Sequence, residues 1–138
     1  MDSPRDILEL MDKHQLVDLI MEYSDNFYFP LELFLLQADY PYSRSDLERL
    51  WGDIYSQALE YDENDISKGA DYLADMGKLV FKRIKDLKSK SDQRLLCDVL
   101  IADLERASTD DGIGMGGDAE WLYDEVREQI QDYLESIQ

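Results

Sequence analysis

Only one histidine and one cysteine occur in the 138 residues, and these two types carry most acid–base, nucleophilic and zinc chemistry. His14 sits between Lys13 and Gln15, where two helices are expected to meet. That position suits a surface side chain better than a base. Cys97 follows Leu95 and Leu96 inside an expected helix and reads as a packed thiol. A lone Cys excludes an intramolecular disulfide. The 32 Asp and Glu residues could do acid–base work, but they are scattered over every segment, so no pair stands out. The chain therefore reads as a non-enzyme: it offers no catalytic, cofactor-binding or metal-ligating residue, and no cofactor is expected.

Two acidic stretches invite comparison with cation-binding loops. Asp110-Asp111, a glycine run, then Asp118 and Glu120 supply oxygen ligands. Their spacing lacks the Asp/Asn alternation of an EF-hand and its Glu at the twelfth position. Asp62, Glu63 and Asp65 are no better ordered. A flexible connector and a helix cap are the simpler readings. Gly112-Ile113-Gly114-Met115-Gly116-Gly117 invites comparison with a phosphate loop. It follows an expected helix rather than a strand, and it lacks the Lys-Ser/Thr ending.

Charge is the most uneven feature. The formal net charge is −18, with 32 acidic against 14 basic residues. Such a chain repels phosphate backbones and anionic membrane surfaces, so neither nucleic acid nor membrane is an expected partner. Yet Lys78, Lys82, Arg83, Lys85, Lys88, Lys90 and Arg94 fall within seventeen positions, against Asp86 and Asp92. That is half of all the basic residues. Either a helix C-terminus is being matched to its macrodipole, or the run is a binding patch. By contrast, the first forty residues hold nine acidic and two basic residues, and those from Ser108 onward hold nine and one. Termini packed near the run would partly cancel its charge. Termini packed away from it would leave an acidic face.

The elements that must position these groups are helices. Composition is 44% hydrophobic and 11% aromatic, which places the chain outside the disordered class despite its charge. Apolar residues recur at helical spacing throughout, and no segment alternates with period two. Ser3-Pro4-Arg5-Asp6 opens a first helix carrying Ile7, Leu8 and Met11. A second has Leu16, Val17, Leu19, Ile20 and Tyr23 on a mostly inward face, and Ser24-Asp25-Asn26 breaks it. Pro30 to Ala38 reads as a short, central helix with Leu31, Phe34 and Leu35 inside, stopped by Pro41. Ser43 or Ser45 caps a fourth, with Leu47, Leu50, Trp51, Ile54, Tyr55 and Ala58 on one face and Trp51 largely buried. Asp62-Glu63-Asn64-Asp65 reads as a loop. A fifth helix spans Ile66 to about Lys88, striped by Leu73, Met76, Val80, Ile84 and Leu87. A sixth runs from about Asp92 to Ala107, with Leu96, Val99, Leu100 and Leu104 inward. After the glycine loop, Asp118 caps a last helix striped by Leu122, Val126, Ile130, Tyr133 and Ile137. The expected fold is all-α, with six to seven helices in one domain over 1–138. It is an irregular bundle or a short stack of helical hairpins, and no fixed-period repeat decides between them.

Gly69-Ala70-Asp71-Tyr72-Leu73-Ala74-Asp75-Met76-Gly77-Lys78-Leu79-Val80, together with Asp110-Asp111-Gly112 and Glu120-Trp121-Leu122, resembles uncharacterised bacterial helical regions, including those that follow SWIM-type zinc fingers. Leu16-Val17-Asp18-Leu19-Ile20 is similar in style. One Cys and one His cannot supply the zinc finger itself, so zinc and nucleic-acid binding do not carry over. The resemblance implies a stand-alone helical interaction domain. The expected function is a non-enzymatic protein-interaction module. The alternative is an acidic inhibitor (immunity, antitoxin or DNA-mimic) seated in a basic cleft of its target. On either reading the partner is a protein, net basic if the acidic surface engages it. The opening Met-Asp-Ser-Pro-Arg-Asp has no basic region followed by an apolar run, so a cytoplasmic location is the default expectation. Nothing in the sequence sets an oligomeric state.

Overall fold

A computed structural model describes residues 3–27, 35–37, 40–64, 66–109 and 119–137. Every regular element among them is helical, and no strand occurs among the described residues. The helices are α1 (Pro4–Leu10), α2 (Lys13–Phe27), α3 (Arg44–Asn64), α4 (Ile66–Ile84), α5 (Lys90–Ser108) and α6 (Ala119–Ser136). Residues 35–37 are helical as well. The chain divides into two compact units, Met1–Leu35 and Leu36–Gln138.

Local chemistry explains the starts of α1, α3 and α5. Ser3 and Asp6 form a reciprocal capping box ahead of Pro4, so two orphan N–H groups are satisfied at the start of α1. Ser43, rather than Ser45, begins α3 in the same way with Asp46. Ser89 accepts from the Asp92 amide and starts α5 at Lys90, two residues before the expected Asp92.

The larger unit is a pair of helical hairpins. In the first, α3 packs along α4, and Trp51 lies against Gly77, equally distant in sequence from the junction at Asn64. The second joins α5 and α6, with Gln93 meeting Tyr133. The hairpins interlock where α6 packs on α4, seen in the edge-to-face contact of Phe81 with Tyr133 at 5.6 Å. Leu47, Ile54, Leu73, Val80, Ile84, Leu96, Leu100, Leu104 and Ile130 are fully buried between them. Burying a side chain of this class contributes about 1.5–3 kcal/mol, which is why the apolar stripes dominate the assembly.

Several expectations are corrected. Asp62, Glu63 and Asn64 belong to α3 rather than to a loop. α4 ends at Ile84, not near Lys88, because the buried Gln93 amide donates to the Lys85 and Leu87 carbonyls and turns the chain outward. Asp86 and Leu87 close the turn with i→i−3 backbone bonds. In the short segment before Pro41, Leu36 is the buried residue and Leu35 is exposed. Leu31 and Phe34 lie outside the described residues. On α6 the inward set is Tyr123, Val126, Ile130 and Leu134, so Leu122, Tyr133 and Ile137 sit at its edge. Two phases share Val126 and Ile130, and packing against α4 and α5 selects one of them.

The smaller unit departs most from expectation. α1 buries no residue, and Val17, Leu19 and Tyr23 of α2 are exposed rather than inward. Thirty-five residues offer too little chain for two short helices to enclose a core of their own.

Candidate functional site

The sequence-derived candidates do not converge. His14 lies exposed in the first turn of α2. Cys97 is fully buried in α5, and burial, aided by the Asp98 charge, pushes its thiol up to about 11. A thiol held protonated in an apolar environment is a packing group rather than a nucleophile. The glycine loop expected over 110–117 and the helix cap expected at Asp118 lie outside the described residues, as do the side chains of Asp62, Glu63, Asp65 and Glu120. Among the described residues no three His, Cys, Asp or Glu side chains cluster closely enough to hold a metal ion. None of the described helices is long and apolar enough to cross a membrane.

Within the larger unit, a partly buried network joins α3 to α5. The Trp51 indole N–H donates to the Asp103 carboxylate at 2.8 Å. Arg106 approaches the same carboxylate at 3.5 Å, donates from Nε to the Tyr55 hydroxyl at 3.3 Å, and stacks over the Tyr55 ring at 4.6 Å. These groups bond and stack across α3 and α5, so this network ties the two helices together.

The basic run is less self-contained. Its members spread over the end of α4, the following turn and the start of α5. Arg94 donates to the Ile137 carbonyl, and Gln93 accepts from the Tyr133 hydroxyl, so the C-terminal helix packs beside this run. On α6 the exposed carboxylates of Asp124, Glu128, Asp132 and Glu135 recur at helical spacing and form an acidic stripe. Lys85 lies over the Phe81 ring at 4.7 Å.

A cleft of about 380 Å³ opens where this turn meets the segment leading into α3. Tyr40, Tyr42 and Arg44 line one side, and Arg83, Lys88 and Asp92 the other. Leu36 anchors the entering segment. Its side chain is buried, and its carbonyl accepts from Arg83 Nε at 2.6 Å. Tyr40 and Tyr42 meet edge to face at 5.1 Å. Burial pushes the Tyr42 phenol up, opposed by the nearby Arg83 charge. The Ser43 amide, and after it the Ser43 hydroxyl, hold Asp46 below the usual carboxylate range. Sequence inspection finds the basic half of this cleft but misses Tyr40, Tyr42 and Arg44. They lie some forty residues upstream, and only the fold brings them to the turn.

The smaller unit presents the other unusual surface. Ile7, Leu8 and Leu10 on α1, with Val17, Leu19, Met21 and Tyr23 on α2, are exposed, Leu10 by 79%. Exposed carboxylates of Asp6, Glu9, Asp12, Asp18, Glu22 and Asp25 stand among them. Comparison with protein-family models, with curated proteins and with solved structures finds no match for the chain.

Proposed function

We propose that the protein is a non-enzymatic interaction module that engages a protein partner through α1 and α2. The observation that carries this reading is the set of seven large apolar side chains exposed on these two short helices. Single exposed apolar residues are ordinary, but seven in one small unit are many, with Val17 and Met21 on one face of α2 and Leu19 and Tyr23 on another. The carboxylates between them favour a net basic partner, because opposite charge at the rim speeds encounter and rejects acidic competitors. The helical interaction domain implied by the sequence resemblance points the same way.

The test is affinity capture from a lysate at low and moderate salt, using the full chain and the variant Leu10→Ser/Leu19→Ser. Both positions are exposed, so the larger unit keeps its core. The expected result is a partner held by the wild type and lost by the variant. Undiminished capture by the variant would refute the assignment of the surface.

The acidic stripe on α6 favours a second reading, an acidic inhibitor seated in a basic cleft of its target. Its association rate would fall steeply as salt rises, since exposed charges are screened within about 8 Å at physiological ionic strength. Loss of capture in the variant Glu128→Gln/Asp132→Asn, with α1 and α2 intact, would favour it over the first.

A further inference from the structure

We propose that the cleft between the Tyr40–Arg44 segment and the turn after α4 binds a small organic molecule through a phosphate-like oxyanion. Its residues are separate from the α1–α2 surface. What sets them apart is how the cations of the cleft spend their hydrogen bonds.

The Arg83 side chain is only 15% exposed, yet its single hydrogen bond among the described residues runs from Nε to the Leu36 carbonyl. A guanidinium has five N–H donors, so the terminal nitrogens remain uncommitted. Asp86 stands 3.6 Å from one of them, beyond ordinary hydrogen-bond reach. Arg44 is equally unspent, with Glu48 at 3.7 Å and Asp92 at 3.9 Å. Lys88 pairs with no carboxylate among the described residues. Arginine–carboxylate pairs that satisfy each other close to about 2.7–2.9 Å, so these three cations are gathered without being neutralised at contact.

The gathering is unusual for this chain. Among the described residues the lining sets three cations against Asp86 and Asp92, while the whole molecule carries −18. The ends of α3 and α5 also face this region, but the side chains of Ser43, Asp46 and Ser89 already cap them. The side-chain cations, not the helix ends, would hold the anion. Phosphate suits them better than carboxylate, because its tetrahedral oxygens can take donors from opposite walls at once. A volume of about 380 Å³ exceeds what a bare oxyanion fills and falls in the range of small-ligand sites. Tyr40, exposed at the mouth, offers a ring face to the organic body.

The experiment is a titration of the isotope-labelled full chain with inorganic phosphate and with phenyl phosphate, followed by amide NMR against chloride at matched ionic strength. Shifts are expected at residues 43–44, 83 and 87–89, with phenyl phosphate the tighter of the two. Arg44→Gln and Lys88→Gln should each weaken binding roughly tenfold. Lys90→Gln, outside the lining, should change it less than about twofold. Equal shifts with chloride would show counter-ion screening only and overturn the proposal. So would unchanged affinity in both Arg44→Gln and Lys88→Gln, each checked by circular dichroism to be folded. Phenyl phosphate binding no tighter than inorganic phosphate would overturn the organic part.

Discussion

Replacing Trp51 by Phe separates what its ring contributes from what its N–H contributes. The indole is 2% exposed and lies beside Gly77, so the smaller ring leaves a void that the helices close only in part. That loss is about 1–2 kcal/mol, below the 3–5 kcal/mol expected for Trp51→Ala. The hydrogen bond to Asp103 is the second contribution. A bond to a charged acceptor is worth about 1.5–3 kcal/mol. Here the lower end applies, since the Asp103 side chain keeps 22% exposure and retains Arg106. Trp51→Phe should therefore cost about 2.5–4 kcal/mol, read from urea unfolding followed by far-ultraviolet circular dichroism. Asp103→Asn offers the control. Its amide oxygen still accepts from the indole, and the lost partner, Arg106, is half exposed, so the cost should stay under about 1 kcal/mol. Asp103→Ala strands the buried indole N–H and should cost about 1–3 kcal/mol. If Trp51→Phe unfolds within about 0.5 kcal/mol of the wild type, the α3–α5 network is not a structural element and the reasoning fails.

Gln93→Ala should cost about 2–4 kcal/mol, because it removes the amide that satisfies the Lys85 and Leu87 carbonyls and the Tyr133 hydroxyl; an unchanged urea midpoint would refute this. Gly52→Ala and Gly77→Ala should each stabilise by about 0.5–1 kcal/mol. An added Cβ meets nothing within 4 Å at Gly52 and only ordinary contacts of 3.7–3.8 Å at Gly77, and a lowered melting temperature in either would count against the packing described. Cys97 should resist thiol reagents at pH 8 and react only on unfolding. Its folded value near 11 lies above the ordinary 9.0, so the stability it lends is complete below pH 9 and is lost as pH rises towards 11. An alkaline unfolding profile unaltered in Cys97→Ala would refute that linkage.

The sequence by itself determined the helical class, the capped start at Ser3 and the central stripe of α3. Each depends on neighbours within one or two turns, and helical periodicity records such neighbours directly. It also marked Cys97 as a packed thiol and the Lys78–Arg94 run as the chain's odd charge feature. Other features depended on contacts distant in sequence. The end of α4 at Ile84 follows from Gln93, nine residues further on, turning to meet carbonyls that a continuous helix would have used. The facing edge of α6 was read from the sequence as Leu122, Tyr133 and Ile137 beside Val126 and Ile130; packing against α4 and α5 selects the overlapping stripe and brings Tyr123 and Leu134 inside. The apolar residues of α1 and α2 look, as a string, like those of any core helix. They are exposed because their unit is too small to cover them, a property of the enclosed volume rather than of the pattern. The cleft is tertiary in the same sense: Arg44 and Arg83 belong to different helices, and folding alone brings their unspent donors to one opening.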